Sequence, residues 1–224
     1  MNRGKLGIEH HIVELKSFIF ALVFGCFSMS LFAQNGSIEN DPAARQGHIH
    51  FMDQKYEQAI KYFKQVKAPN ASVNYMLGYS QFQLQDYKSS IASFTSAIES
   101  KQLTKNLASA YYYRAKAKNT LAQGDLKISD TEREKLLASS IEDYSSAIDL
   151  NNNETSYYLN RGIAYRDLGI LRGTETTAGY DKELASSYYQ KGIDDLQVVL
   201  SKNSKREDIA KEIKKVSIYK ESLK

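Results

Sequence analysis

Apolar and small residues recur along this chain at the spacing of one helix face, and the pattern itself repeats. The stretches KYEQAIKYF (55–63) and DYKSSIASF (86–94) lie 31 residues apart and share their apolar positions. The same skeleton returns around Ser140 and Gly192, where a small residue is followed four positions later by a large apolar one. Residues at this spacing lie on one side of an α-helix. The pattern therefore predicts four related amphipathic helices.

A second pattern precedes the last three of these helices. YMLG at 75–78, YYRA at 112–115 and LNRGIAY at 159–165 each place a glycine or alanine beside large residues. The only prolines, Pro42 and Pro69, come early, so the last ~150 residues lack the strongest helix breaker. The sequence therefore predicts pairs of helices along the chain.

The paired patterns resemble the tetratricopeptide repeat (TPR), a helix–turn–helix unit of about 34 residues. The matching residues are Gly78, Tyr87, Phe94 and Ala97 in one unit, and Tyr158, Gly162 and Tyr165 in the last. Ser90 departs from the usual alanine of the motif. The resemblance implies an all-α fold, an α-solenoid of antiparallel helix pairs with about four repeats and a C-terminal capping helix.

Small residues in these helices have a steric explanation. Two antiparallel helices approach closely only where glycine or alanine lies at their crossing, and a neighbouring aromatic ring then fills the remaining space. We therefore expect Gly78, Ala97 and Gly162 at helix contacts, with Phe94 and Tyr144 in the core.

Capping signals place the ends of the predicted repeats. Asp41, Asn70 and Asp86 are N-cap residues, and Ser129 with Glu132 and Ser204 with Glu207 have capping-box spacing. The predicted repeats run over 41–67, 70–100, 104–150 and 153–203, followed by a capping helix at 204–224. The apolar stripe of that last helix consists of Ile209, Ile213, Val216 and Leu223.

Two insertions lengthen the third and fourth repeats, at 121–135 and at 169–182. The first ends in a capping box, so we expect it to lengthen the second helix of its pair. The stretch 172–179 has the composition of a loop. Both insertions fall at the same kind of turn, and the sequence leaves open whether they bind a partner or are tolerated loops.

The N-terminus has the pattern of a secretory signal peptide. Arg3, Lys5 and Lys16 precede an uncharged, mostly apolar run at 17–33 that ends before polar residues. The run is shorter than a membrane-spanning helix. We predict a signal peptide at 1–33, a short linker at 34–40, and export to the bacterial periplasm or envelope.

Cys26, the only cysteine, offers an alternative. The sequence VFGC at 23–26 faintly resembles a lipobox, in which the cysteine is acylated and becomes the mature N-terminus. Phe24 is bulky for that motif, and the apolar run continues beyond the cysteine. Acylation would make the protein an outer-membrane lipoprotein, whereas cleavage after Ala33 would leave no cysteine.

In TPR proteins the first helix of each pair lines a concave groove, so the resemblance implies a groove for a protein or peptide. The residues that it places there are His48, Phe51, Met52, Tyr75, Tyr79, Phe82, Tyr112, Lys116, Asn119, Leu159, Ile163 and Arg166. Aromatic rings beside methionine suit an apolar peptide or helix. Packing against neighbouring helices is the alternative role for each residue.

Some TPR proteins hold a terminal carboxylate with a Lys–Asn pair. At those positions the first unit carries Ala44 and His48, and the second carries Tyr75 and Tyr79, which argues against this clamp. Asn160 matches an asparagine that can bind a ligand's backbone. Hydrogen bonding between helices is its alternative use.

The net charge and the positions of histidine and acidic residues argue against some classes of function. The net charge is +4, and acidic residues interrupt the basic stretch at 202–215, so nucleic acid is not indicated. His48 and His50 point to different sides of a helix, which argues against a metal pair. We interpret the acidic pairs at 142–143 and 194–195 as polar helix faces, explained by solvation and helix pairing.

No phosphate-binding glycine loop, nucleophile elbow or metalloprotease motif occurs. We therefore predict no enzyme and no cofactor. The leading hypothesis is an exported, non-catalytic scaffold or adaptor that binds a protein or peptide. Its rivals are a lipid-anchored envelope assembly subunit, acylated at Cys26, and an envelope hydrolase.

Overall fold

The computed structural model describes residues 40–124, 127–177 and 179–223. Within these ranges the regular elements are all α-helices, and no strand occurs. In chain order they are α1 Pro42–Met52, α2 Tyr56–Phe63, α3 Ala71–Gln83, α4 Tyr87–Glu99, α5 Leu107–Gly124, α6 Asp130–Leu150, α7 Thr155–Gly173, α8 Lys182–Lys202 and α9 Glu207–Glu221. The predicted signal peptide, Cys26 and the linker up to residue 39 lie outside the described residues.

Side chains cap four helices where the sequence predicts caps. The side-chain oxygens of Asp41, Asn70, Asp86 and Ser129 each accept a hydrogen bond from a backbone N–H of the first turn, at 2.8 to 3.2 Å. The first N–H groups of a helix have no partner within the helix, so these bonds fix where each helix starts.

The predicted capping box at Ser204 is wrong. Helix α9 begins at Glu207 after Arg206, and no side chain caps its start. In the turn before it, Asn203 accepts the backbone N–H of Lys205 at 3.2 Å, and Arg206 binds Asp208 instead. The hydrogen bonds at the start of α9 are thus made by Asn203 and Arg206 and not by the side chain of Ser204.

The helices stack in order as pairs. Each helix packs against the next one, and the connections between them are short, which is typical of antiparallel neighbours. The first helices of neighbouring pairs also contact one another: α1 with α3, α3 with α5, and α5 with α7. The first helices therefore lie next to one another along one side of the array, which we call the inner side. The prediction of an all-α solenoid of helix pairs is confirmed.

Small residues lie where paired helices cross, as expected. A Cβ atom added to Gly78 would lie 3.1 Å from the Phe94 ring, and one added to Gly47 would lie 2.5 Å from the Phe63 ring. Both pairs are separated by 16 residues in the sequence. Phe63 and Phe94 are at most 1% exposed, so each aromatic ring fills the space beside a glycine.

In the fourth pair two glycines face each other across the crossing. A Cβ on Gly162 would lie 3.0 Å from the carbonyl oxygen of Gly192, and a Cβ on Gly192 would lie 2.9 Å from that of Gly162. The backbones of α7 and α8 are therefore in direct contact. Glycine is required on both sides of this crossing.

The C-terminal helix covers the last pair. Ile209 and Val216 are 3% and 0% exposed and pack with Leu196 and Val199 of α8. Ile213 and Leu223 complete the apolar stripe against the same cluster. Covering the open end of the last repeat keeps its apolar face from water, as a solenoid requires.

Both insertions extend helices. Helices α5 and α6 contain 18 and 21 residues, against 13 each in α3 and α4, so the expected longer second helix is confirmed. The loop prediction for 172–179 is wrong at Arg172 and Gly173, which are the last two residues of α7. A Cβ on Gly173 would lie 3.1 Å from Leu223, so helix packing holds this end of α7.

Candidate functional site

The twelve residues that the motif places in the groove all lie on first helices. They are His48, Phe51 and Met52 on α1; Tyr75, Tyr79 and Phe82 on α3; Tyr112, Lys116 and Asn119 on α5; and Leu159, Ile163 and Arg166 on α7. Their exposure ranges from 66% at Met52 to 6% at Asn119. Not all of them therefore offer a side chain to a partner.

A chain of aromatic contacts joins α1, α3 and α5. Between ring centroids, Tyr79 lies 5.6 Å from Phe51 and 4.9 Å from Tyr113, both edge to face. Tyr113 in turn lies 5.3 Å from Phe82 and 5.1 Å from Tyr112. Edge-to-face pairs are favourable at these distances, so they fix the orientation of each ring. We call these five rings the aromatic wall.

Tyr113 is the member of the aromatic wall that the sequence reasoning missed. It connects Tyr79, Phe82 and Tyr112, and burial raises the pKa of its phenol, with a further increase from the nearby Tyr79. Three consecutive tyrosines at 111–113 were the available signal. The motif places only Tyr112 of that run in the predicted groove, whereas the aromatic wall contains both Tyr112 and Tyr113.

Lys116 lies against the aromatic wall. Its ammonium is 5.7 Å from the ring centroid of Phe82 on α3 and 5.9 Å from that of Tyr112 on α5. Aromatic faces attract a cation at such distances. Lys116 is half-buried as a residue, and its ammonium thus lies against rings of two consecutive first helices.

Three predicted groove residues mainly pack between helices. Tyr75 lies edge-on to Phe94 at 5.8 Å, and Leu159 packs against the core that α8 and α9 share. Asn119 is 6% exposed, and its Oδ1 atom has no hydrogen-bond partner in the described part of the chain. These positions correspond to the alternative role of helix packing.

Asn119 lies beside another buried polar group, the hydroxyl of Tyr144. That hydroxyl also lacks a partner with hydrogen-bond geometry in the described ranges. Burial raises the pKa of Tyr144 well above its usual range, and the nearby Asn119 offsets this only in part. The two groups are thus close without forming a good hydrogen bond.

Arg166 is fully engaged by neighbouring carboxylates. It binds Asp167 at 2.6 Å and also forms an ion pair with Glu212 of α9. Asp167 further accepts a hydrogen bond from Gln123 at 2.5 Å. The charges at the C-terminal end of the inner side are therefore neutralised within the protein.

Asn160 is used between helices. Its side-chain amide donates to the carbonyl oxygen of Ser156 at 2.7 Å and to the Tyr112 hydroxyl at 3.3 Å. The second bond links α7 to α5. The structure therefore shows the helix-pairing role that the sequence left open.

An ion pair that the sequence did not predict joins the third pair. Arg114 on α5 binds both carboxylate oxygens of Asp143 on α6, at 2.6 and 2.8 Å, and donates to Thr95 of the preceding pair at 3.1 Å. Lys118 binds the same carboxylate at 2.7 Å. One guanidinium thus contacts both helices that flank α5.

The fourth pair repeats this arrangement. Arg161 on α7 binds both oxygens of Asp195 on α8 at 2.8 Å and donates to Ser145 of the preceding pair at 3.0 Å. The hydrogen bonds to Asp195 are the main cause that raises the pKa of Arg161 above its usual value. We call the two arrangements the arginine bridges.

Each acidic pair divides between the two expected explanations, helix pairing for one member and solvation for the other. Asp143 and Asp195 are 4% and 5% exposed and bind arginine, which corresponds to helix pairing. Their neighbours Glu142 and Asp194 are exposed. A buried carboxylate needs a paired cation, and each arginine supplies it.

Comparison with known proteins addresses the fold. No family model and no curated protein matches the chain. Among solved structures, YrrB, titled a TPR protein with an unusual peptide-binding site, aligns at 18% identity with a TM-score of 0.51, over 88% of this chain and 87% of its own. MamA aligns at 18% identity with a TM-score of 0.48, over 80% and 90% of the two chains. TTC0263, a TPR protein of Thermus thermophilus, aligns at 14% identity with a TM-score of 0.43, over 78% and 96%.

The YrrB superposition extends over most of both chains and agrees with the stacked helix pairs. The chain has the tetratricopeptide-repeat fold. In this TPR array, each arginine bridge uses the residue just before the small crossing residue, Ala115 or Gly162, and the residue just before the large core residue, Tyr144 or Leu196. That register is the signal from which the bridges could have been found.

Possible metal ligands do not cluster in the described part of this TPR array. No group of three or more His, Cys, Asp or Glu side chains within 40–124, 127–177 and 179–223 could hold a metal ion. His50 stacks on Tyr62 at 5.2 Å. No helix among these residues is both long and apolar enough to cross a membrane.

Proposed function

We propose that this chain is an exported, non-catalytic scaffold or adaptor that holds a protein or peptide segment against its aromatic wall. The wall carries the proposal because its five rings come from three consecutive first helices and are already oriented by edge-to-face contacts. Rigid, partly exposed aromatic side chains supply large contact areas with little loss of conformational freedom on binding.

The architecture supports this proposal. A TPR array offers an extended concave surface, and such solenoid surfaces suit an elongated partner. YrrB, which shares the fold, is described as a TPR protein with an unusual peptide-binding site. A peptide or helix with apolar side chains would lie across α1, α3 and α5, where the rings are contiguous.

Export is a separate part of the proposal, and it rests on the N-terminal sequence. Cell fractionation followed by mass spectrometry of the mature N-terminus tests it, with an N-terminus at Gln34 as the expected result. Full-length protein in the cytoplasm would contradict export. Palmitate labelling of wild type and Cys26→Ser distinguishes the lipid-anchored alternative, which predicts label on the wild type alone.

Site-specific photo-crosslinking tests the groove. A benzoylphenylalanine replaces Phe82 in the wall or, as the matched control, Tyr180, an exposed aromatic residue of the α7–α8 turn. Both changes exchange one aromatic ring for another, so the fold is preserved. We expect discrete crosslinked partners in the bacterial envelope from position 82 and none from position 180.

A second variant tests whether crosslinking at position 82 depends on the aromatic wall. Tyr79→Ala in the protein that carries the crosslinker at position 82 removes a central ring and should abolish the adducts, provided that circular dichroism shows a folded chain. Adducts from position 180 alone would instead favour a partner bound at the second insertion. Identical adducts from both positions would contradict binding at the wall.

A further inference from the structure

Among the predicted groove residues, Lys116 is the cation for which the described part of the chain supplies no carboxylate partner. Among the twelve groove residues two carry a full positive charge, Lys116 and Arg166, and none is acidic. Arg166 is neutralised by Asp167 and Glu212. The ion pairs of the described residues give Lys116 no carboxylate within 4 Å.

The rings of Phe82 and Tyr112 are the contacts that attract its ammonium. The attraction of a cation to aromatic faces is weak, far smaller than the cost of removing an unpaired ammonium from water. Lys116 is half-buried, so the rest of its side chain is open to solvent. A partner seated on the aromatic wall would cover that surface.

We propose that the segment held in the groove is acidic and places an Asp or Glu side chain against Lys116, between α3 and α5. This inference rests on the proposed function and specifies the chemistry of its partner. A carboxylate compensates the charge once that surface is covered, whereas a neutral or basic segment leaves the ammonium buried without a counter-charge.

The carboxylate comes from a side chain rather than from a chain terminus. A terminal carboxylate clamp uses a Lys–Asn pair, and this chain carries Ala44 with His48 and Tyr75 with Tyr79 at those positions. A single ammonium flanked by rings suits an acidic residue set between apolar ones. The rings of Phe51 and Tyr79 would then contact the apolar neighbours.

An array of random twelve-residue peptides, acetylated and amidated so that only side chains carry charge, tests the inference. The wild type should select peptides rich in Asp and Glu beside apolar residues. Replacing the selected acid by its amide should weaken binding roughly tenfold, the size of one charge-assisted hydrogen bond. Affinity for the acidic peptide should also fall as ionic strength rises.

Three variants make the array decisive. Lys116→Met keeps the length of the side chain and should lose the acidic preference, and Lys116→Glu should exchange it for Lys and Arg. The control is Lys191→Glu on α8, where an ammonium also lies over two rings, at 5.7 Å from Tyr165 and Tyr188, but outside the groove. It should select the same acidic peptides as the wild type.

The outcomes separate this inference from the proposed function. If the wild type binds peptides that depend on Tyr79 and Phe82 but show no acidic preference, the groove stands and the acidic partner is excluded. If Lys191→Glu shifts the preference as much as Lys116→Glu does, overall charge explains it and the site at Lys116 is wrong. Failure to bind any peptide would remove both proposals.

Discussion

The second and third helix pairs cross in the same way but are joined by different chemistry. In the second pair, Ser90 donates to the carbonyl oxygen of Gly78 at 2.9 Å, and Ser93 donates to the side chain of Gln81 at 2.7 Å. In the third pair a buried carboxylate, Asp143, lies between two cations of α5. Neutral hydroxyls thus occupy one interface and full charges the other.

This difference separates the residues that a helix crossing requires from the residues beside it that can vary. A small residue against a large ring is present in both pairs, since Gly78 faces Phe94 and Ala115 packs in one cluster with Tyr144. The buried polar groups beside the crossing need only form hydrogen bonds or ion pairs with one another, and either hydroxyls or charged groups can do this. We therefore expect the two pairs to respond alike to changes in the crossing and differently to changes beside it.

The largest loss of stability should be similar in the second and third helix pairs. Phe94→Ala and Tyr144→Ala each remove a ring with 0% exposure and should each lower the free energy of unfolding by about 3 to 5 kcal/mol. Urea denaturation followed by far-UV circular dichroism measures both. A loss below about 1 kcal/mol in either variant would mean that its ring does not fill the crossing as the structure shows.

Removing one charge should distinguish the pairs. Asp143→Asn keeps the shape of the side chain but leaves Arg114 and Lys118 without their counter-charge, so we expect a loss of about 3 kcal/mol of stability. Both cations keep 14% of their side-chain surface exposed, which places the loss at the lower end of the range for buried pairs.

Ser93→Ala is the matched change in the second pair. It removes one neutral hydrogen bond and should cost about 1 kcal/mol. Both variants are compared in the same denaturation experiment. Equal losses would show that the ionic interface is no more sensitive than the neutral one, contrary to the comparison.

A smaller effect is expected at the first crossing. Gly47→Ala places a methyl group 2.5 Å from the Phe63 ring, and moving the ring should cost about 1 to 3 kcal/mol. Gly124→Ala is the control, because nothing lies within 4 Å of an added Cβ there. The control should match or slightly exceed the stability of the wild type. Thermal unfolding of the two variants gives the difference directly.

The smallest effect is expected for Tyr144→Phe. The ring remains in the core, and the change removes only a buried hydroxyl that lacks a good hydrogen bond. Deleting an unsatisfied polar group should leave stability within about 0.5 kcal/mol of the wild type or raise it slightly. A loss above about 1 kcal/mol would reveal a hydrogen bond to Asn119 in solution.

The comparison also explains which parts were predictable from the sequence. The distance from Gly78 to Phe94 is fixed by the length of a hairpin, so a repeating small–large pattern identified the crossing. The ion pairs have no constant spacing, because Arg114 and Asp143 are 29 residues apart and Arg161 and Asp195 are 34 apart. The inserted turns change that distance, so the bridges can be found from their register beside the crossing residues and not from a fixed separation in sequence.

The inner side of the first helices was predictable in outline and less so in detail. A motif assigns positions to the inner side of a helix, but it does not decide which side chains the next helix covers. Asn119 is covered by its neighbours, whereas Tyr113 joins the aromatic wall because α3 and α5 approach each other there. The compensation of Arg166 depends on α9, which lies beyond the repeat pattern.

The arginine bridges also determine how the array responds to mechanical load. Arg114 holds Thr95, and Arg161 holds Ser145, across the two boundaries between later pairs. At the corresponding position of the second pair stands Leu77, just before Gly78. When tension is applied between the two ends, α1 and α2 should therefore detach first. The last three pairs should yield together at higher force, which would keep most of the concave surface assembled under strain.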